Sequence, residues 1–284
     1  MTTYSIILPA YNEEAAIGEV LDELLASPLA SRAEIIVVDD HSKDATRERA
    51  ARPGVTVLRN VQNFGYGYSL KRGIAAATGD HIIILDADGS YPPAALPALV
   101  AEYEQGFDMI VGARQGSFYR GSLAKRVGRF FFRVLSEFSA GRRIPDINSG
   151  CRIFRKDLAL GFFPTLSSGF SFTTTITLAF MLNAHSVGYL PIAYHPRRGV
   201  SKVRYARDIL RSLQIIVEAI TIHNPLKIFL LLALLVCCAG AAAIVLAFWY
   251  PFVALLAFLT SATIALLLSA SLLGVLIRYA RARV

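Results

Sequence analysis

The stretch His81-Ile-Ile-Ile-Leu-Asp-Ala-Asp88 places two carboxylates directly after a short run dominated by isoleucine. A continuous apolar run of this length, rich in β-branched residues, predicts a strand that is buried on both faces. Where such a strand ends in a loop, two carboxylates separated by one residue can reach a common hard cation. The stretch therefore predicts a covered sheet with a candidate metal site, Asp86 and Asp88, at one edge.

Similar runs recur on both sides of this stretch and alternate with helical patterns. The helical patterns include Glu14 to Ala26 and Tyr66 to Ala77, and the other predicted strands are Ser5-Ile-Ile-Leu, Glu34-Ile-Ile-Val-Val, Val55-Thr-Val-Leu and Asp108-Met-Ile-Val. This alternation predicts an α/β fold with a parallel sheet that is covered on both faces. In such sheets ligands bind at the carboxyl ends of the strands.

Two other strand ends carry the same kind of polar chemistry. The first strand runs into Pro9-Ala-Tyr-Asn-Glu-Glu14, and the second runs into Asp39-Asp-His-Ser-Lys-Asp44. An Asp-x-Asp pair alone is weak evidence, because aspartates are common in loops. Three carboxylate-bearing strand ends at one sheet edge indicate a common site.

The C-terminal region is apolar enough to span a membrane. Hydrophobic residues make up 54% of the chain and charged residues 18%. Between Leu226 and Ile277 the only charged residue is Lys227, and the run divides near Trp249 to Pro251. Each half is about 25 residues, which is long enough to cross a bilayer. The pattern predicts a two-helix transmembrane hairpin; the alternative is a buried helical pair in a soluble core.

The charge distribution predicts the orientation of this hairpin. Lys227 precedes the first span, basic residues follow the second at positions 278, 281 and 283, and the turn between the spans is uncharged. By the positive-inside rule, both ends and the large N-terminal region face the cytoplasm. No apolar signal segment opens the chain, so secretion is not expected. Three cysteines, two of them inside a span, argue against a disulfide framework.

The basic surplus indicates anionic lipid or substrate phosphate as partners, rather than nucleic acid. The formal net charge is +8, and 25 basic against 21 acidic residues precede Pro225. Two stretches interleave basic and apolar residues at helical spacing, Ser122 to Phe138 and Arg204 to Ile222. They are typical of helices that lie in the headgroup layer. Ordinary amphipathic helices packed on the sheet would show the same pattern.

The motifs Pro-x-Tyr-Asn-Glu, Asp-Asp-x-Ser-x-Asp and Asp-x-Asp, in this order, resemble those of the family 2 glycosyltransferases, which have the GT-A (Rossmann-like) fold. The resemblance implies a nucleoside pocket formed by Pro9, Tyr11, Glu13 and Asp40. It implies that Asp86 and Asp88 bind the donor through a divalent cation, Mg2+ or Mn2+. For Tyr11 and Glu13 a contact at the helix start is the plain alternative.

The segment Asn63-Phe-Gly-Tyr-Gly-Tyr-Ser-Leu-Lys-Arg-Gly73 resembles the family's glycine-bearing turn into a helix. Glycines there permit close backbone approach to a ligand. Lys71 is a candidate for holding the donor diphosphate, and an exposed helical lysine is the alternative. Asp44 is interpreted as a helix N-cap.

Three further motifs resemble the polyprenyl-phosphate branch, which includes dolichyl-phosphate mannose and glucose synthases. They are Val111-Gly-Ala-Arg114, Asp146-Ile-Asn-Ser-Gly-Cys-Arg152 and Arg197-Arg198-Gly-Val-Ser-Lys202. A phosphate monoester acceptor has a second pKa near 6, so it needs no general base at neutral pH. It needs cations that hold the dianion in line. The candidate cations are Arg114, Arg126, Arg198 and Lys202, and the Ser201 hydroxyl is a further candidate for binding the lipid phosphate.

Several roles stay open at this stage. Arg126 and Arg204 could instead anchor lipid headgroups, and Asp146 could orient an arginine, contact the sugar or cap its turn. Relatives often have Gln where this chain has Ser90, which puts a third metal contact in doubt. They also often carry an acidic residue where Gly169 to Thr175 offers only hydroxyls, so the donor sugar could differ from mannose.

The expected protein is an integral membrane enzyme of a bacterial or archaeal plasma membrane. Its predicted domains are a cytoplasmic GT-A domain (1–203), an amphipathic interfacial helix (204–223) and a transmembrane hairpin (224–284). The expected reaction is direct, inverting displacement by lipid phosphate on a UDP- or GDP-linked sugar, with Asp88, Arg114 and Arg198 as catalytic residues.

Two alternatives have their own signatures. One is a processive polysaccharide synthase, which would need a larger helix bundle and usually a Gln-x-x-Arg-Trp motif; the sole tryptophan here is Trp249. The other is a non-catalytic membrane protein that uses the nucleotide-binding fold for interaction. The number of subunits is open, and two spans leave room for a homo-oligomer.

Overall fold

A seven-stranded sheet organises the N-terminal unit of the computed structural model, which describes residues 4–116, 123–198, 214, 216–218, 220–221 and 225–281. The strands are β1 (Tyr4–Ala10), β2 (Ala33–Asp39), β3 (Val55–Arg59), β4 (His81–Ile84), β5 (Met109–Gln115), β6 (Arg152–Arg155) and β7 (Val187–Ala193). Their order in the sheet is β3-β2-β1-β4-β6-β5-β7.

The predicted parallel sheet is correct except for one strand. β1 pairs in parallel with β2 and β4, β2 with β3, and β5 with β7. β6 lies antiparallel between β4 and β5. β6 and β7 were not predicted from the sequence, because β6 is only four residues long with arginine at both ends and β7 contains a proline.

Helices cover both faces of the sheet. They are α1 (Ile17–Ala26), α2 (Thr46–Ala50), α3 (Tyr66–Ala76), α4 (Leu96–Tyr103), α5 (Leu123–Ala140), α6 (Lys156–Phe162) and α7 (Phe172–Leu182), with short 3-10 turns at Pro28–Arg32 and Pro93–Ala95. Apolar side chains of α1 and α4 pack on one face of the sheet. Those of α3 and α7 pack on the other. This explains why β1 is buried along its whole length.

The C-terminal unit begins at Leu213 and contains two long apolar helices, α8 (Pro225–Ala247) and α9 (Pro251–Arg281). Within them, Leu226–Val245 has a mean hydropathy of 2.9 and Pro251–Ile277 one of 2.3. Only 11% and 6% of their most apolar windows are buried, whereas a core helix of a soluble domain is mostly buried. So large an exposed apolar surface is unsuited to water and supports the predicted membrane hairpin.

The two predicted interfacial helices differ in how much of them is described. The first corresponds to α5. Of the second, 204–223, only residues 214, 216–218 and 220–221 are described, and these are helical. The rest of that segment, with Arg204, lies outside the described residues.

Candidate functional site

The strand ends predicted to meet do lie together. Parallel pairing brings the carboxyl ends of β1, β2 and β4 to one edge of the sheet, and Asp40 N donates to Ala10 O at 2.8 Å. Arg197 reaches both neighbouring loops: its Nη2 lies 3.3 Å from Glu13 Oε1 and its Nε 3.0 Å from Asp88 Oδ2. One guanidinium thus spans the first and the third polar motif, so these two motifs form a single site.

The Asp86 carboxylate is closely surrounded by other residues of this site. The Tyr66 hydroxyl donates to Asp86 Oδ1 at 2.9 Å. A Cβ atom at Gly150 would collide with the Asp86 carboxylate, so the loop before β6 closes directly over it. Burial, together with the nearby Asp88 charge, raises the pKa of Asp86 to about 7, against the lowering effect of Tyr66. This carboxylate is therefore placed where a positive charge would be favourable.

Asp88 is held by Ser90. Asp88 Oδ1 accepts from the Ser90 backbone N–H at 2.9 Å and from the Ser90 hydroxyl at 2.5 Å. The Asp88 side chain is buried, and its other oxygen, Oδ2, faces Arg197. Ser90 thus orients the Asp88 carboxylate. This role was not predicted from the sequence, where Ser90 only put a third metal contact in doubt.

Asp86 and Asp88 fit a hard divalent cation as a pair. The described residues contain no group of three or more His, Cys, Asp or Glu side chains arranged to hold a metal alone. The two carboxylates lie close enough for the charge of Asp88 to raise the pKa of Asp86. Two carboxylates, completed by diphosphate oxygens and water, are a typical donor set for Mg2+ beside a nucleotide.

Asp40 shapes the loop that leads into α3. Its carboxylate accepts from Asn60 Nδ2 at 2.6 Å, Phe64 N at 2.9 Å and Gly65 N at 2.7 Å. These three donors occupy the side chain, and the Asp40 contact with the nucleoside stays a prediction. Pro9 is buried at the end of β1 beside β2, and Tyr11 follows half-buried, as a pocket at this edge would need.

The neighbouring Asp39 was not a predicted site residue, but one of its carboxylate oxygens accepts no hydrogen bond from the described residues. Its side chain is fully buried, and Oδ1 accepts from Ser42 N at 2.9 Å. Oδ2 makes no hydrogen bond in the described structure, and Arg59 Nε lies 3.6 Å away. Because buried carboxylate oxygens are rarely left unsatisfied, Asp39 is the better candidate in the Asp-Asp pair for contact with a ligand donor. The doubled aspartate was the signal available in the sequence.

The loops after β1 and β2 are joined by hydrogen bonds. Asn12 N donates to Ser42 Oγ at 3.0 Å, and Glu13 N donates to Thr46 Oγ1 at 2.7 Å. Asp44 accepts from the Thr46 backbone N–H at 3.1 Å and from its hydroxyl at 2.5 Å, at the start of α2. Asp44 therefore bonds to the first residue of α2, but Ala45 holds the N-cap position, so the predicted N-cap assignment is off by one residue.

Lys71 has a structural role in this fold. Its Nζ donates to the carbonyl oxygens of Phe163 at 2.9 Å and Leu166 at 2.5 Å. Burial lowers its pKa. These bonds tie α3 to the turn after α6, and the proposed diphosphate contact of Lys71 stays a prediction.

Arg114 is held rigidly at the end of β5. Its Nε and Nη2 donate to the two oxygens of Asp146 at 2.7 and 2.8 Å, and the Tyr194 ring lies 5.4 Å from the guanidinium. Asp146 also accepts from Asn148 N at 3.2 Å. Asp146 therefore both orients an arginine and caps its own turn, two of the roles left open by the sequence.

The other predicted phosphate ligands are placed differently. Arg198 pairs with Glu19 on α1, and both side chains are exposed. Arg126 is exposed on α5. Ser201 and Lys202 lie outside the described residues. Arg197, the neighbour of Arg198 in a basic pair, is the arginine that contacts the carboxylates.

Arg152 supports the loop that covers Asp86. Its side chain is fully buried and donates to the carbonyl oxygens of Ile147, Ser149 and Thr173 and to the Thr177 hydroxyl. Burial lowers its pKa. Arg152 therefore joins this loop to α7, a scaffolding role that the motif Ser-Gly-Cys-Arg did not reveal.

Residues 5–161 match the sequence model of a known protein family, Glycosyl transferase family 2. The chain belongs to that family. Its seven-stranded sheet, with β6 reversed beside a parallel half, is the expected GT-A-like architecture.

Named relatives of this family 2 protein act on lipid phosphates. A dolichyl-phosphate hexose transferase of Haloferax volcanii is 30% identical over 210 residues, covering 72% of this chain and 90% of that one. An undecaprenyl-phosphate 4-deoxy-4-formamido-L-arabinose transferase of Salmonella paratyphi A is 25% identical over 247 residues, covering 83% and 72%.

A solved structure gives a similar fold. Glucosyl-3-phosphoglycerate synthase of Mycobacterium tuberculosis, in complex with Mn2+, UDP-glucose and glycerol 3-phosphate, superposes with a TM-score of 0.59 and 25% identity. The match covers 78% of this chain and 79% of that one.

Proposed function

We propose that this protein transfers a single sugar from a UDP- or GDP-linked donor to a polyprenyl or dolichyl phosphate, with inversion and with a divalent cation, at the cytoplasmic membrane face. The observation that carries the proposal is the gathering of Glu13, Asp86 and Asp88 from two strand ends, in a chain that also carries two exposed apolar helices. The similarity to the dolichyl-phosphate hexose transferase, over 90% of its length, supports the lipid phosphate as acceptor.

The donor side uses Asp86 and Asp88 as the cation ligands. A bound Mg2+ or Mn2+ would neutralise the charge that develops on the departing nucleoside diphosphate. The complex of the mycobacterial synthase with Mn2+ and UDP-glucose supports this part of the proposal. Ser90 and Tyr66 keep the two carboxylates oriented, and Pro9, Tyr11, Glu13, Asp39 and Asp40 would surround the nucleoside.

The acceptor side needs positive charge but no general base. A phosphate monoester with a second pKa near 6 is already largely ionised at neutral pH. Arg114, fixed by Asp146, offers a preorganised guanidinium, which suits bidentate phosphate recognition. Arg198, Ser201 and Lys202, on the segment after β7, would complete this phosphate site.

An exposed stripe on α5 supports a position at the membrane surface. Phe130, Val134 and Phe138 are 52%, 44% and 40% exposed and follow one another at four-residue spacing. Arg126 continues the same line by one turn. An apolar stripe with a basic end is typical of a helix that lies in the headgroup layer, where Arg126 would contact phosphate.

The test is to incubate the purified full-length protein with a polyprenyl phosphate, Mn2+ and a panel of nucleotide sugars, and to identify lipid products by mass spectrometry. We expect one sugar per lipid with inverted anomeric configuration. Excess chelator, Asp86→Asn or Asp88→Asn should abolish the product. Asp22→Asn is the matched control, because Asp22 lies on α1 outside the site and pairs there with Arg52.

Three results would contradict the proposal. Unchanged turnover in chelator would remove the cation from the mechanism. A product with many sugars would indicate a processive synthase. No transfer with any donor would leave a non-catalytic role for the fold.

A further inference from the structure

Arg197 reaches the candidate cation site from a segment whose main chain is fixed. After β7, His195 N donates to Ser90 O at 2.9 Å and Arg198 N donates to Asp88 O at 3.1 Å. The chain on both sides of Arg197 is thus bonded to the loop that carries Asp88. The guanidinium is presented to the carboxylates by this backbone pairing.

Arg197 contacts the Asp88 oxygen that a cation would need. Asp88 Oδ1 already accepts two hydrogen bonds from Ser90, which leaves Oδ2 as the oxygen facing the site. Arg197 Nε lies 3.0 Å from Oδ2. A cation coordinated there would lie within a few ångströms of the guanidinium, and the two positive charges would repel each other.

The contact of Arg197 with Asp88 is ionic rather than a directed hydrogen bond. The Nε–H group is buried and, among the residues that the structure describes, has no hydrogen-bond acceptor in good geometry, despite the short distance to Oδ2. A buried donor without an acceptor is rare in folded proteins. It is suited to a ligand that brings acceptor oxygens, and a diphosphate beside the cation would supply them.

We propose that Arg197 is a displaceable counter-ion, which competes with the divalent cation for Asp88 and turns to the donor diphosphate when cation and nucleotide enter together. The inference rests on the cation-dependent function proposed above. It makes cation binding and nucleotide binding mutually reinforcing: the anion draws the guanidinium away from Asp88, and the cation takes its place.

The consequence is a specific order of affinities. Mn2+ alone should bind weakly, since it must compete with Arg197. A nucleoside diphosphate should strengthen Mn2+ binding by about tenfold or more, within the usual range of coupling between two ligands. By linkage, Mn2+ should strengthen nucleotide binding by the same factor.

The test measures Mn2+ affinity of the full-length protein in detergent by the electron paramagnetic resonance signal of free Mn2+, without nucleotide and with UDP or GDP. Arg197→Gln should bind Mn2+ alone about fivefold more tightly than the wild type, and its nucleotide enhancement should fall to about threefold or less. Arg52→Gln is the matched control, because Arg52, which follows α2, also pairs with a carboxylate, that of Asp22 on α1, but away from the site. It should behave as the wild type.

A melting experiment guards against a folding artefact. In chelator, Arg197→Gln should melt at a lower temperature than the wild type, because Glu13 and Asp88 lose their counter-ion. Adding Mn2+ should raise the melting temperature of Arg197→Gln by more than it raises that of the wild type. Unchanged or weaker Mn2+ binding by Arg197→Gln would overturn the inference alone. A wild-type protein that binds no Mn2+ with either nucleotide would overturn the inference and the cation-dependent function together.

Discussion

Replacing Gly150 by alanine is a sharp test of the site geometry. An added Cβ would meet three atoms of the Asp86 carboxylate well inside the 3.4 Å of ordinary van der Waals contact. The carboxylate would have to move by about 1 Å, and a displacement of that size costs about 100-fold in rate when catalysis depends on positioning. We therefore expect Gly150→Ala to lower turnover by about two orders of magnitude and to weaken Mn2+ binding.

The assay compares this variant with Gly161→Ala. Gly161 lies in α6, and a Cβ there would contact no described atom within 4 Å, so alanine should be neutral or stabilising by about 0.5–1 kcal/mol. Turnover is measured as lipid-linked sugar at several Mn2+ concentrations, and thermal melting confirms folding. Wild-type turnover and Mn2+ dependence in Gly150→Ala would refute the placement of Asp86 under this loop.

Three further outcomes follow from the contacts in the site. Arg114→Lys keeps the positive charge but loses the two hydrogen bonds to Asp146. The KM for lipid phosphate should therefore rise about tenfold, while the KM for the nucleotide sugar stays constant. The reverse pattern would contradict the acceptor role of Arg114. Ser90→Ala removes one hydrogen bond to Asp88, about 1 kcal/mol, and should weaken Mn2+ binding about fivefold in a direct titration. Because the pKa of Asp86 is raised to about 7, protons compete with the cation for this carboxylate below that pH. The Mn2+ affinity should therefore rise from pH 6 to pH 7 and level off above it. An affinity independent of pH would contradict the buried position of Asp86.

The chemistry of the strand ends and the apolar hairpin could be predicted from the sequence by itself. Asp86 and Asp88 follow a buried strand, and the rule that parallel strands present their carboxyl ends at one edge was enough to place them near Glu13. The two long apolar helices are evident because length and apolarity are properties of a continuous segment.

Which polar side chains contact one another depends on the three-dimensional packing of the chain. Arg197 reaches Glu13 across 184 positions of sequence, and no local pattern distinguishes it from Arg198, which turns to Glu19 instead. The spare oxygen of Asp39 likewise depends on which donors the neighbouring loops bring to each of two adjacent aspartates. Periodicity specifies which face of an element is buried, but the partner of a polar side chain is set by the packing of distant segments.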